Sequence, residues 1–103
     1  MRQDVRKDIR QARMRRAEIA IAGRVQGVFY RYSTKEMANR FHLTGSVRNL
    51  PDGRVQVICE GIEEDIASLI EWCKHGPRGA VVENVEVDWK EYVGDFKDFR
   101  IVY

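Results

Sequence analysis

Between residues 17 and 103 the spacing of apolar side chains switches repeatedly between every second residue and every third or fourth. No single stretch is long enough to fold alone. In Ala17–Gly23, Ile19 and Ile21 lie two apart, which predicts a strand. From about Ser33 to Arg40, Met37, Ala38 and Phe41 share one helical face. Ser33 or Thr34 is the expected cap, and Glu36 is placed for a capping box. Ser46–Leu50 and Arg54–Glu60 read as two strands joined by Leu50-Pro51-Asp52-Gly53, a hairpin signal because proline presets φ and Asp-Gly tolerates a tight reversal. Val55, Val57 and Cys59 alternate along the second of them.

Residues 62 to 75 carry the clearest helical pattern. Ile62, Ile66, Leu69, Ile70 and Cys73 fall on one stripe. Glu63, Glu64 and Asp65 open it and Lys74 and His75 close it, as the helix dipole favours. After the breaker Gly76-Pro77-Arg78-Gly79, Val81–Tyr92 reads as a strand, with Val85, Val87 and Trp89 set against Glu86, Asp88 and Lys90. Phe99–Tyr103 reads as a last strand. The order is therefore βαββαβ plus a C-terminal strand. Each helix must return across the same sheet face, so the expected fold is an α+β, ferredoxin-like two-layer sandwich. Two helices would cover one face of a mainly antiparallel sheet.

A chain of 103 residues, 44% hydrophobic, suits one compact domain. Seven of its eighteen Lys/Arg fall in residues 1 to 16, against Asp4 and Asp8, so the remainder carries more acidic than basic side chains. We expect a basic, solvated or partly helical extension over 1–16 and the folded domain over 17–103. No apolar run is long enough to cross a membrane and no signal-peptide centre opens the chain, so the expected location is cytoplasmic and no membrane partner is expected. Cys59 and Cys73 belong to no CxxC pair and have no histidine at metal-ligand spacing. They read as buried thiols, with a disulfide between them left open.

One stretch does not fit a purely structural reading. Gly23-Arg24-Val25-Gln26-Gly27-Val28-Phe29-Tyr30-Arg31 places two glycines and an arginine where a strand feeds a helix. The first helical turn has N–H groups without partners, and glycines let the backbone curl so that such groups converge. An arginine fork at the edge suits phosphate or carboxylate oxygens. By itself this suggests only an anion site. A second stretch, Gly45 to Val55, holds Asn49 near the end of a strand, where asparagine is disfavoured. Its amide can both donate to and accept from a water molecule.

Together the two stretches resemble the acylphosphatase family. G-x-V-Q-G-V-x-x-R is matched by Gly23, Val25, Gln26, Gly27, Val28 and Arg31. G-x-V-x-N-x-x-x-G-x-V is matched by Gly45, Val47, Asn49, Gly53 and Val55. The resemblance covers residues 17 to 103. It implies hydrolysis of a small acyl phosphate to carboxylate and inorganic phosphate, with Arg31 holding the phosphoryl group and Asn49 positioning the water. The backbone amides of Gly23, Arg24, Val25, Gln26, Gly27, Val28 and Phe29 would form the phosphate cradle. It implies neither metal, cofactor nor covalent phosphoenzyme. Ser46 stands where an aromatic residue is frequent, and Tyr30 stands where phenylalanine or methionine is usual. No catalytic serine, cysteine or histidine is required, so His42 and His75 read as ordinary surface or helix-end residues.

Two rivals use the same fold. An RNA-binding module would need exposed aromatic residues among basic ones on the sheet, whereas Gln56, Glu60, Glu86 and Asp88 are expected on the outward face. The basic segment is the only feature favouring it, so nucleic acid is not an expected partner. A domain of a larger assembly, for example in carbamoyl transfer, would be expected to carry further sequence. A monomer acting on a small molecule is the expected state.

Overall fold

The computed structural model describes residues 13 to 103. The expectation for the basic segment lies, through residue 12, outside the described residues. Five strands and two helices follow in the order β1 (Met14–Arg24), α1 (Tyr30–Arg40), β2 (Thr44–Asn49), β3 (Val55–Ile62), α2 (Glu63–Cys73), β4 (Val81–Glu91) and β5 (Phe99–Ile101). The sheet order is β4-β1-β3-β2-β5. β1 is antiparallel to β3 and β4, β2 is antiparallel to β3, and β5 runs parallel to β2. The expected α+β sandwich, with a mainly antiparallel sheet, is therefore the observed fold.

The register explains the core. Ala17, Ile19 and Ile21 face Cys59, Val57 and Val55 across β1 and β3, and Val47 faces Val57 across β2 and β3. All seven side chains are buried, and they form one cluster with Tyr30 and Ala38 of α1 and Ile66, Leu69 and Cys73 of α2. The alternation read from the sequence is the alternation of the pleat.

Topology then positions the site. β1 and β2 both run antiparallel to β3, which lies between them, so they end at the same side of the sheet. β5 ends there too, being parallel to β2. The loop after β1, the hairpin after β2 and the residues after β5 therefore meet.

Four local expectations are corrected. β1 begins at Met14 rather than Ala17, because Arg15 and Arg16 extend the ladder to Gly61 and Glu60. α1 begins at Tyr30, three residues earlier than expected, and its cap is Phe29 in a left-handed conformation (φ 61°) with no side-chain cap bond. Thr34 is not a cap; its hydroxyl donates back to the Tyr30 carbonyl at 2.7 Å. α2 ends at Cys73, so Lys74 and His75 lie beyond it.

Glu60 is the fourth correction. It is not a solvated outward residue but only 1% exposed. The segment from β4 to β5 has to cross from one edge of the sheet to the other, and Glu60 receives it. Its Oε2 accepts from the Val93 N–H (2.8 Å) and its Oε1 from the Gly94 N–H (3.0 Å). Arg16 Nη1 completes the set at 3.2 Å and stacks on Phe96. A buried carboxylate with three donors is satisfied; removing it leaves the Val93 and Gly94 amides without that acceptor and Arg16 with only its longer pairings to Glu18 and Asp95. Glu60→Ala is expected to lower unfolding free energy by about 3 kcal/mol in urea titration.

Cys59 and Cys73 are both free and buried, and burial pushes each thiol up to about 12 from an ordinary 9.0. Tyr30 is raised further, first by burial and then by Cys73. Between pH about 9 and about 12 the folded chain holds thiol protons that the unfolded chain releases. Stability is therefore fully present below pH 9 and falls as pH rises, each thiol contributing about 1.4 kcal/mol per pH unit. In urea titrations from pH 8 to 11, replacing both cysteines with alanine is expected to flatten that fall. An equally steep fall in the double variant would show that other groups carry it.

Candidate active site

Val25, Gly27, Phe29, Tyr30, Arg31, Tyr32, Asn49, Ile101 and Tyr103 line a cleft of about 340 Å³ where the ends of β1, β2 and β5 meet. Val25 and Tyr30 close its floor and are buried. The Tyr30 hydroxyl donates to the Cys73 carbonyl at 2.7 Å, so this side chain fastens α1 to the end of α2. That bond satisfies the buried hydroxyl by which Tyr30 differs from phenylalanine. The Tyr30 ring also packs against Trp72, with centroids 5.5 Å apart.

Arg31 is the second residue of α1, in its first turn. Its guanidinium lies over the Tyr103 ring, 4.9 Å from the centroid. Among the described residues no carboxylate pairs with it and it is the one charged side chain lining the cleft. The helical ladder opens with the Ser33 N–H donating to the Phe29 carbonyl (3.0 Å), so the N–H groups of Tyr30, Arg31 and Tyr32 lie ahead of it. Unpaired amides and the positive end of the helix dipole thus meet the guanidinium.

Gly27 sits at φ 75° with open space around the position of a Cβ, so its need for glycine comes from the backbone conformation. Gly23 serves differently. A Cβ there would collide with the Val81 carbonyl oxygen, and the ladder to β4 shifts register beside it. Gly23 and Arg24 belong to β1, paired with Val82 and Val81, and do not line the cleft. Val28 packs against the core. Of the expected cradle, Val25, Gly27 and Phe29 line the cleft together with Arg31 and Asn49.

Asn49 is the last residue of β2. Its Oδ1 is the one buried side-chain polar atom without a hydrogen-bond partner among the described residues. A buried amide oxygen left unpaired carries a free-energy cost and calls for a ligand or a water.

Gln26 does more than its place in the loop foretold. Its side-chain amide donates to the carbonyls of Leu50 and Arg54, both at 2.9 Å. Those carbonyls flank the hairpin turn, closed by the Leu50 N–H to Arg54 carbonyl bond (2.8 Å). Asp52 reinforces the turn. Hydrogen bonds from the Arg54 backbone and side chain hold its carboxyl below the usual carboxylate range. Gln26 therefore binds the loop carrying the amides to the hairpin carrying Asn49. Sequence pattern marks Gln26 as part of the loop, but nothing local says where its side chain goes.

The class is thus a small two-layer α+β domain whose strand–loop–helix junction, with Arg31 in the first helical turn, shares a cleft with an unpartnered strand asparagine. The sequence model of the acylphosphatase family matches residues 17–101. The chain is 56% identical over 88 residues to the acylphosphatase of Pyrobaculum islandicum (strain DSM 4184 / JCM 9189 / GEO3), covering 84% of this chain and 93% of that one. It is 48% identical over 90 residues to the acylphosphatase of Syntrophus aciditrophicus (strain SB), covering 87% and 94%. The solved structure of an acylphosphatase from Coxiella burnetii superposes with a TM-score of 0.84 at 35% identity, covering 90% of this chain and 97% of that one. This chain belongs to the acylphosphatase family.

Replacing Gln26 with leucine is expected to remove the two hydrogen bonds that join loop to hairpin, while the Leu50 and Arg54 carbonyls keep their backbone bonds from the Gly53 and Leu50 N–H groups. The expected loss, read in thermal and urea unfolding, is about 1–3 kcal/mol. Amide exchange at residues 50–54 should rise above that of β1 and β3. Unchanged exchange there would show that the hairpin does not depend on the bridge.

Proposed function

We propose that the cleft hydrolyses acyl phosphates, with Arg31 and the backbone amides at the start of α1 holding the phosphoryl oxygens and Asn49 holding the attacking water. The observation that carries this reading is the buried, unpartnered Oδ1 of Asn49 in the same cleft as Arg31.

An acyl phosphate already contains a good leaving group, a carboxylate. The protein needs to supply position and charge stabilisation rather than a strong nucleophile. The water oxygen bonds to phosphorus as the bond from phosphorus to the bridging oxygen breaks. The carboxylate departs with that electron pair, and a phosphate oxygen takes the water proton. Negative charge grows on the bridging and equatorial oxygens, where a permanently protonated guanidinium and preorganised N–H groups stabilise it most. The Tyr103 ring against Arg31 restricts the fork without neutralising it. The two thiols take no part; burial keeps them protonated at neutral pH.

The reaction needs no metal and no covalent intermediate in this scheme. We propose a monomer in the cytoplasm, where free buried thiols are at home. No helix among the described residues is long and apolar enough to cross a membrane.

Turnover of acetyl phosphate at neutral pH tests the scheme. Arg31→Ala is expected to lower kcat/KM about a thousandfold and Asn49→Ala about a hundredfold, with far-ultraviolet circular dichroism unchanged. Normal turnover by Arg31→Ala would overturn the site. Loss of activity with a chelator, restored by a divalent cation, would overturn the metal-free course.

A further inference from the structure

The mouth of the cleft carries a feature that neither the fold nor the phosphoryl site requires. Phe29 holds a left-handed backbone (φ 61°), a conformation that costs free energy for any residue with a bulky side chain. Glycine or asparagine would adopt it more readily. Phe29 is also 80% exposed, so its ring gains little from burial. Neither backbone preference nor core packing accounts for an aromatic ring here. Two more exposed rings line the same cleft, Tyr32 at 57% and Tyr103 at 94% exposure.

From these observations we propose that Phe29, Tyr32 and Tyr103 form a subsite for the acyl group of the substrate, selecting an uncharged, planar, apolar acyl group such as an aromatic one. The proposal rests on the acyl phosphate reading. The direction follows from burial: the floor is closed by Val25 and Tyr30, while the rings stand at the open side. A phosphoryl group held by Arg31 and the α1 amides is joined to its acyl group through a single bridging oxygen. The acyl group must therefore leave the site past the rings. Arg31 is the one charged side chain lining the cleft among the described residues, and the phosphoryl group engages it. An acyl group bearing its own carboxylate would find no second cation there. A flat apolar one would cover ring faces that water now contacts.

Phenylphosphonate and methylphosphonate share an unreactive phosphonate head and differ only in the group beyond it. Both are measured as competitive inhibitors of acetyl phosphate hydrolysis by wild type, Tyr32→Ala and Phe29→Asn. Asparagine tolerates the left-handed backbone, and Tyr32 is exposed on α1, so neither change strains the fold. Wild type is expected to bind phenylphosphonate on the order of tenfold more tightly than methylphosphonate. That ratio is expected to fall several-fold in each variant; it is taken within each protein, so any general loss of phosphonate affinity cancels. Equal inhibition in wild type, or a ratio that survives both substitutions, overturns the subsite while leaving the hydrolase intact. A wild type that hydrolyses neither acetyl nor benzoyl phosphate overturns the acyl phosphate reading and the subsite with it.

Discussion

The cleft depends on two hydrogen bonds that the Gln26 side chain donates to the carbonyls of Leu50 and Arg54. The sheet brings the loop after β1 and the hairpin after β2 to the same end, with the start of β3 between them. Adjacency of two loops does not fix a distance, because loops are the mobile part of a fold. A single planar amide that bonds to both carbonyls at the hairpin neck converts adjacency into a defined geometry. The unpaired N–H groups and Arg31 then face Asn49 as one unit. Tyr30 does the corresponding work from below, tying the first turn of α1 to the end of α2 through its hydroxyl.

The electrostatics are simple because the cleft is lined by a single charged side chain among the described residues. Arg31 contributes a full charge, the helix start contributes partial charge, and no carboxylate among the described residues competes for either. The one buried carboxylate among the described residues, Glu60, acts elsewhere, on the crossing between β4 and β5. That crossing sets β5 beside β2 and so places Ile101 and Tyr103 at the cleft. Glu60 thus supports the site without touching it.

How much of this was legible depended on whether the cause was local. The alternation of Ile19 and Ile21, or of Val55, Val57 and Cys59, is the pleat itself, so the strands could be read directly. Leu50-Pro51-Asp52-Gly53 marked the hairpin through backbone chemistry confined to four residues. Asn49 stood out because asparagine is disfavoured in a strand, and Arg31 because it ends a glycine-marked junction where a strand feeds a helix. What stayed hidden was nonlocal. The start of α1 carries no side-chain cap, since the loop backbone at Phe29 sets it, so Ser33 and Thr34 attracted the wrong assignment. Glu60 keeps the outward phase of its strand, but a segment more than thirty residues away covers it. The Gln26 amide and the Tyr30 hydroxyl likewise find partners that only the folded chain supplies.

The central claim is that the site holds the phosphoryl group, so that water attacks phosphorus and not the acyl carbon. Hydrolysis of acetyl phosphate in oxygen-18 water, with both products analysed by mass spectrometry, tests it most directly. The account requires one labelled oxygen in the inorganic phosphate and none in the acetate. Label in the acetate would mean attack at the carbonyl carbon and would contradict the roles given to Arg31 and Asn49.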